Sequence, residues 1–161
     1  MNPAFQLREF VLADGDSCRQ LFCDTVRRVN CRDYSPMQIE AWAGAELDPE
    51  PWIRRFDDNC AYVIEHNRAI VGFADMTPDG YLDRLFVSAD HERQGIATIL
   101  MNAIELAAKT NGLPRIHTQA SITAKPFFLA RGFVVVNEQT IECRGVRMNN
   151  YVLTKDFTKQ T

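Results

Sequence analysis

The sequence predicts one α/β domain built on a central mixed sheet of about six or seven strands, with helices packed against it. Three observations carry this. The chain has 161 residues, 46% hydrophobic and 24% charged, which suits a single domain with a real core. Strand-like runs alternate with stretches of helical periodicity along its length. The strand Tyr81–Val87 is followed by a helix and then by a strand at Ile116–Ala120, an order that makes those two strands parallel. No internal repeat, low-complexity segment or second domain is found, so residues 1–161 are read as one domain.

The elements follow in order. Phe5 to Ala13 reads as a first strand, with Phe5, Leu7, Glu9 and Val11 on one face. Asp14 is placed to cap a helix running to about Val29, with Leu21, Phe22 and Val26 facing in. Ser35-Pro36-Met37-Gln38 is a helix start: Ser as N-cap, Pro at the first position, Gln at the third. Asp48-Pro49-Glu50-Pro51 opens a short helix that contains Trp52, Ile53 and Phe56. Strands at Cys60–Glu65 and Ala69–Met76 pair around His66-Asn67-Arg68, and Thr77-Pro78-Asp79-Gly80 turns into the Tyr81 strand. The next helix runs from Gly95 to about Thr110 and buries Ile96, Ile99, Leu100, Ala103, Ile104 and Ala107. Asn111-Gly112 ends it and Pro114 follows as a stop. Strands near Phe133–Thr140 and Arg147–Thr154 close the chain.

Composition excludes several classes. Net charge is −3 and no long basic run occurs, which argues against nucleic acid as a partner. Arg27-Arg28 and Arg54-Arg55 read as short pairs on solvated helix faces. No segment approaches the roughly 20 apolar residues of a membrane span, and the N-terminus lacks a basic region followed by an apolar run, so neither membrane insertion nor secretion is expected. Five cysteines, an odd number without framework spacing, suit a reduced cytoplasmic protein. His66, His91 and His117 stand on separate elements without metal-site spacing, so no metal is expected.

Chemistry concentrates in the turn Asp90-His91-Glu92-Arg93-Gln94-Gly95-Ile96-Ala97. It joins a strand to a helix and so presents consecutive backbone N–H groups at the positive end of a helix dipole, a setting that holds a phosphate or pyrophosphate. Gly95 admits an anion close to the backbone, Ala97 is small enough to do nearly the same, and Thr98 adds a hydroxyl. A second block, Ser121-Ile122-Thr123-Ala124-Lys125-Pro126-Phe127-Phe128-Leu129-Ala130-Arg131-Gly132-Phe133, follows one helix and one strand later.

The two blocks, in this order and at this spacing, resemble the GNAT superfamily of acetyl-CoA-dependent N-acetyltransferases. The tail Arg144–Lys155 resembles its closing strand, and Tyr34–Trp42 supports the YafP-like branch in particular. The resemblance implies a mostly antiparallel sheet with one splayed parallel strand pair, and acetyl-CoA as co-substrate for acetyl transfer to an amine. It implies that the main chain of Leu85, Phe86 and Val87 pairs with the pantetheine amides. The N–H groups from Arg93 through Gln94, Gly95, Ile96 and Ala97 to Thr98 would take the pyrophosphate, and Ser121 and Phe128 would touch the cofactor. Asp83, read as sharing a face with Tyr81, Leu85 and Val87, is the first candidate for the base that accepts the amine's proton, with Asp75 and Glu65 as alternatives. A solvated strand carboxylate is the other reading of each.

Two positions depart from the family pattern. Glu92 stands where Gln or Arg is usual, and Phe128 where a Tyr often supplies the leaving thiolate with a proton. They keep open the alternative of a catalytically weakened or non-enzymatic acetyl-CoA-binding module. The acceptor amine is unspecified, and a homodimer stays open.

Overall fold

The computed structural model describes residues 5–44 and 47–157. One seven-stranded sheet contains β1 (Gln6–Glu9), β2 (Cys60–His66), β3 (Ala69–Met76), β4 (Tyr81–Val87), β5 (Arg115–Ser121), β6 (Val134–Cys143) and β7 (Val146–Asp156). The strands lie in the order β1-β2-β3-β4-β5-β7-β6. Every neighbouring pair is antiparallel except β4 and β5, which are parallel because helix α4 (Ile96–Thr110) crosses between them. Helices α1 (Gly15–Arg28), α2 (Pro36–Ala43) and α3 (Pro49–Arg54) cover one face of the sheet; α4 and α5 (Lys125–Ala130) cover the other.

Each face has its own core. Ile64, Leu82, Ile116 and Leu153 pack with Leu100 and Ile104 of α4. Val63 and Phe73 pack with Phe22, Val26 and Trp52. The neighbours Val63 and Ile64 are both 0% exposed yet belong to opposite cores, as period-two alternation in a sheet covered on both faces requires. Burial of one such side chain contributes about 1.5–3 kcal/mol. At Gly72 of β3 an added Cβ would stand 2.7 Å from Ile96 Cγ2, so the bare backbone lets the first turn of α4 lie against the sheet.

Local signals set the helix starts. Ser35 and Gln38 form the reciprocal capping box of α2, and Asp48 accepts the Glu50 N–H at the start of α3. The first strand is shorter than its pattern suggests. It ends at Glu9, and Leu12–Asp14 form a 3-10 turn, because the Asp14 carboxylate accepts the Val11 N–H at 2.9 Å and both Arg8 Nη groups at 2.8 Å. Asp14 therefore ties α1 back to β1 and makes no side-chain cap on α1. The closing strands are longer than expected, since Arg144 and Gly145 at φ 46° and 79° make a two-residue turn that lets pairing continue to its edge. In α4 the most buried line is Ile96, Leu100, Met101, Ile104, Glu105 and Ala108, whereas Ile99, Ala103 and Ala107 are half-buried.

Candidate active site

Pairing between β4 and β5 stops after Tyr81 with His117 and Leu82 with Thr118. Thr118 Oγ1 donates to the Leu82 carbonyl at 2.8 Å, a last tie before the strands diverge. Beyond it Gln119–Ser121 pair with β7 and Leu85–Val87 with β3, and neither segment has a ladder partner across the gap. A bulge accompanies the opening: Arg84 faces Asp75 and Leu82 faces Met76, so Asp83 is an extra residue in β4. The bulge breaks the alternation. Leu82, Leu85 and Val87 belong to the α4 side, while Arg84 and Phe86 pack among Trp52, Phe56 and Phe73 on the other. Asp83 turns to that second side, where it meets Arg55 and Arg84. It therefore does not share a face with Leu85 and Val87.

The gap opens into a cleft of about 620 Å³. Of the residues singled out in the sequence, Asp83, Leu85, Phe86, Val87, Arg93, Ala97, Ser121 and Phe128 line it. Gln94, Gly95 and Thr98 are exposed in the adjoining turn, and the Ile96 side chain enters the core. Gly95 is the N-cap of α4 at φ 84°, and Arg93 is also left-handed at φ 61°. A Cβ added to Gly95 would meet nothing within 4 Å. The first intrahelical bond runs from the Ile99 N–H to the Gly95 carbonyl, so the N–H groups of Ile96, Ala97 and Thr98 have no carbonyl one turn back. A concave, donor-rich turn of this kind fits a diphosphate. Its acidic side chains are drawn off by cations: Asp90 pairs with Arg28 at 2.6 Å, and Glu92 with Arg32 at 3.1 Å.

Among the three carboxylates considered, Asp83 lines the cleft. Arg55 holds it through two bonds of 3.1 and 2.6 Å. Asp75 is 0% exposed and accepts two bonds from Arg84 and one from Asn59. Glu65 is bound by Arg8 at 3.0 and 2.7 Å beside Asp14, and does not line this cleft. Tyr81 borders the cleft, and burial, with Asp83 adding to it, raises its phenol above the ordinary range.

The other wall comes from β5, α5 and the α2 approach. Ser121 Oγ accepts the Ala124 N–H at 3.0 Å, bracing the turn into α5, and receives an Asn30 amide bond at 3.3 Å. Phe128 is buried between Phe127 and Phe133 with one side on the cleft. The Tyr34 hydroxyl donates to the Asn149 carbonyl at 2.7 Å and accepts the Ile122 N–H at 2.9 Å. It thus straps the α2 approach to the ends of β5 and β7, and burial raises its phenol. Trp52 Nε1–H is buried without a hydrogen-bond partner, a cost of about 1–3 kcal/mol. Sequence reasoning missed Arg55, because its partner lies 28 residues away and no helical spacing links them. Among the described residues, no group of three or more His, Cys, Asp or Glu is arranged to hold a metal ion.

Residues 30–155 match the acetyltransferase (GNAT) domain family. The chain is 32% identical over 148 residues to the uncharacterized N-acetyltransferase YafP of Escherichia coli K12, covering 92% of this chain and 93% of that one. It is similar in structure to a GCN5-related N-acetyltransferase from Rhodopseudomonas palustris, with a TM-score of 0.90, 28% identity and coverage of 98% and 97% of the two chains. A coenzyme A complex of PaiA N-acetyltransferase from Thermoplasma acidophilum shares the fold at a TM-score of 0.76 and 16% identity, over 96% and 99%. So does YncA from Salmonella typhimurium with acetyl-CoA, at 0.71 and 12%, over 98% and 96%. By the extent of these matches the chain belongs to the GNAT acetyltransferase family and is an acyltransferase.

Proposed function

We propose that this protein moves an acetyl group from acetyl-CoA directly to an amine, with both substrates held in the cleft at once. The observation that carries the reading is the parallel pair that opens after two paired positions, beside the N-terminal turn of α4. The cofactor complexes of PaiA and YncA, which share this fold, support it.

Acetyl-CoA supplies a thioester, from which the amine takes the acetyl group as an N–C bond forms and the C–S bond breaks. This chain's residues bind, orient and move a proton. The edge of Leu85, Phe86 and Val87 that β5 leaves without a ladder partner offers N–H and C=O groups to an extended amide-bearing ligand, as a sheet edge does to an added strand, although the Val87 carbonyl already accepts the Thr25 hydroxyl at 2.9 Å. The amides from Arg93 to Thr98 take the diphosphate, and Phe128 packs along the cofactor's path. A free amine of pKa near 10 is only about one part in a thousand neutral at pH 7, a penalty of roughly 4 kcal/mol. Asp83 at the bulge receives that proton, directly or through water. Because Phe128 has no hydroxyl, the thiolate leaves as such or takes a proton from water; at a thiol pKa near 8.5 this is accessible. All five cysteines are free, which suits work in a reducing compartment such as the cytoplasm.

Release of free thiol from acetyl-CoA, measured across a panel of amines, tests the reading. Turnover is expected with at least one amine, and Asp83→Asn is expected to lower kcat/KM about 100-fold with coenzyme A affinity unchanged within threefold. Tight coenzyme A binding with no turnover of any amine would count against acetyl transfer. Full turnover by Asp83→Asn would remove Asp83 from the proton's path.

A further inference from the structure

We propose that the Arg55–Asp83 pair selects the acceptor, and that the acceptor carries a carboxylate beside its amine on an apolar frame: an apolar α-amino acid or a close analogue. This rests on the acetyl-transfer reading above and deepens it.

Asp83 stands between two cations of different kinds. Behind it lies Arg84, whose Nε is 3.8 Å from Asp83 Oδ2. Arg84 is fixed: its side chain is 2% exposed and bound to Asp75 at 2.7 Å, and its guanidinium lies 4.3 Å from the Trp52 ring and 4.0 Å from the Phe56 ring. In front lies Arg55, whose side chain is 47% exposed, against 14% for Asp83. Arg55, Asp83 and Arg84 all line the cleft, but of the two cations Arg55 is the one exposed enough to give way. The front cation is therefore exchangeable, and the rear one is not.

An amine that reaches Asp83 competes with Arg55 for the same two oxygens. A plain amine displaces the guanidinium and leaves it facing the cleft without a counter-charge, which forfeits the modest gain of a half-exposed ion pair. A ligand with both charges leaves neither unpaired. Its amine takes Asp83, and its carboxylate takes the planar fork of Arg55, which matches carboxylate geometry. The wall next to the pair sets the rest of the ligand. Phe22 packs edge-on against Phe86 at 4.9 Å and lies 5.3 Å from Trp52, and Trp42 and Leu47 extend the surface. Such a wall accepts an apolar side chain, and the unpartnered Trp52 Nε1–H is a donor within it.

The test is equilibrium binding to the protein in excess coenzyme A. L-Phenylalanine, L-leucine and L-methionine are each compared with the amine that lacks the carboxylate. At least one amino acid is expected to bind ten-fold or more tightly than its decarboxylated counterpart. In Arg55→Gln that ratio falls to about one, and Arg55→Lys restores part of it. Melting temperature and coenzyme A affinity of both variants confirm that the fold and the cofactor turn are intact. Equal or tighter binding of the plain amines, binding of none of the amino acids, or equal weakening of both ligands by Arg55→Gln overturns the selection. The thiol-release assay separates the two readings. Turnover of plain amines without preference ends this one and leaves acetyl transfer standing. Selective amino-acid binding with no thiol release from any amine supports the carboxylate subsite alone: it counts against acetyl transfer and overturns the claim that the ligand is the acceptor.

Discussion

At the scale of single residues, Gly95 separates backbone conformation from packing, which makes the binding role proposed for it testable. Its φ of 84° is one that L side chains rarely adopt, yet an added Cβ would touch nothing. Gly95→Ala thus meets a backbone penalty of about 1–2 kcal/mol and no clash within the protein. The methyl group would stand in open space beside the N–H groups proposed to take the diphosphate. The expected outcome is a small fall in urea stability and at least ten-fold weaker coenzyme A binding by calorimetry. Unchanged affinity would place the diphosphate elsewhere. Asp83 makes the complementary point. The bulge that aims it at Arg55 depends on the register of β4 against β3, a non-local property, and strict alternation along the strand gives the wrong face.

At the scale of elements, α3 is attached to the sheet through charge as well as through its aromatic residues. Arg84 joins Asp75 by two bonds, donates to the Trp52 carbonyl at 3.0 Å and stacks on the rings of Trp52 and Phe56. Asp75→Asn leaves a buried guanidinium without its carboxylate, and a loss of about 3–5 kcal/mol in urea unfolding is expected. The double substitution Asp75→Leu with Arg84→Met is expected to lose less than Asp75→Asn alone, because no charge is then stranded. Equal stability of Asp75→Asn and the parent protein would show that this pair does not hold α3. The helix starts were readable because their signals are local: Ser35 with Gln38, Asp48 before Pro49, and Gly95 before an apolar run. The early end of β1 was not readable, because Asp14 reaches back to Arg8 only once the chain has folded.

At the scale of the whole molecule, Glu105 links α4 to the far strand. Burial alone would raise its carboxyl; the bonds from Lys155 at 2.7 Å and Arg131 at 2.9 Å more than reverse this and hold it below the ordinary carboxylate range. A carboxylate with a depressed folded pKa stabilises the fold above its unfolded pKa of about 4.3, and that contribution is lost as pH falls through the folded value. Glu105→Gln is expected to cost about 1–3 kcal/mol at pH 7, and its gap from the parent is expected to narrow progressively as pH falls below about 4. Denaturant midpoints at the two pH values check this; a gap independent of pH would mean that the charge of Glu105 contributes nothing. The overall architecture was legible because length, alternation and the strand–helix–strand order at Tyr81–Ala120 restrict it to few forms. The splay was reached through family resemblance alone, since nothing in residues 81–87 or 115–121 states how far two parallel strands stay paired. The Arg55–Asp83 contact was out of reach for the same reason: it exists only in three dimensions.

The narrow junction between β4 and β5 also bears on how the protein is made. Strands β1 to β4 hold nearly all of their backbone bonds among themselves, and so do β5 to β7. During synthesis the first group has its strand partners before residue 115 leaves the ribosome, while its core still waits for Ile116 and Leu153 of the second. The seam between them is then expected to be the last part of the sheet to pair, which pulsed hydrogen exchange during refolding checks at Leu82 and Thr118.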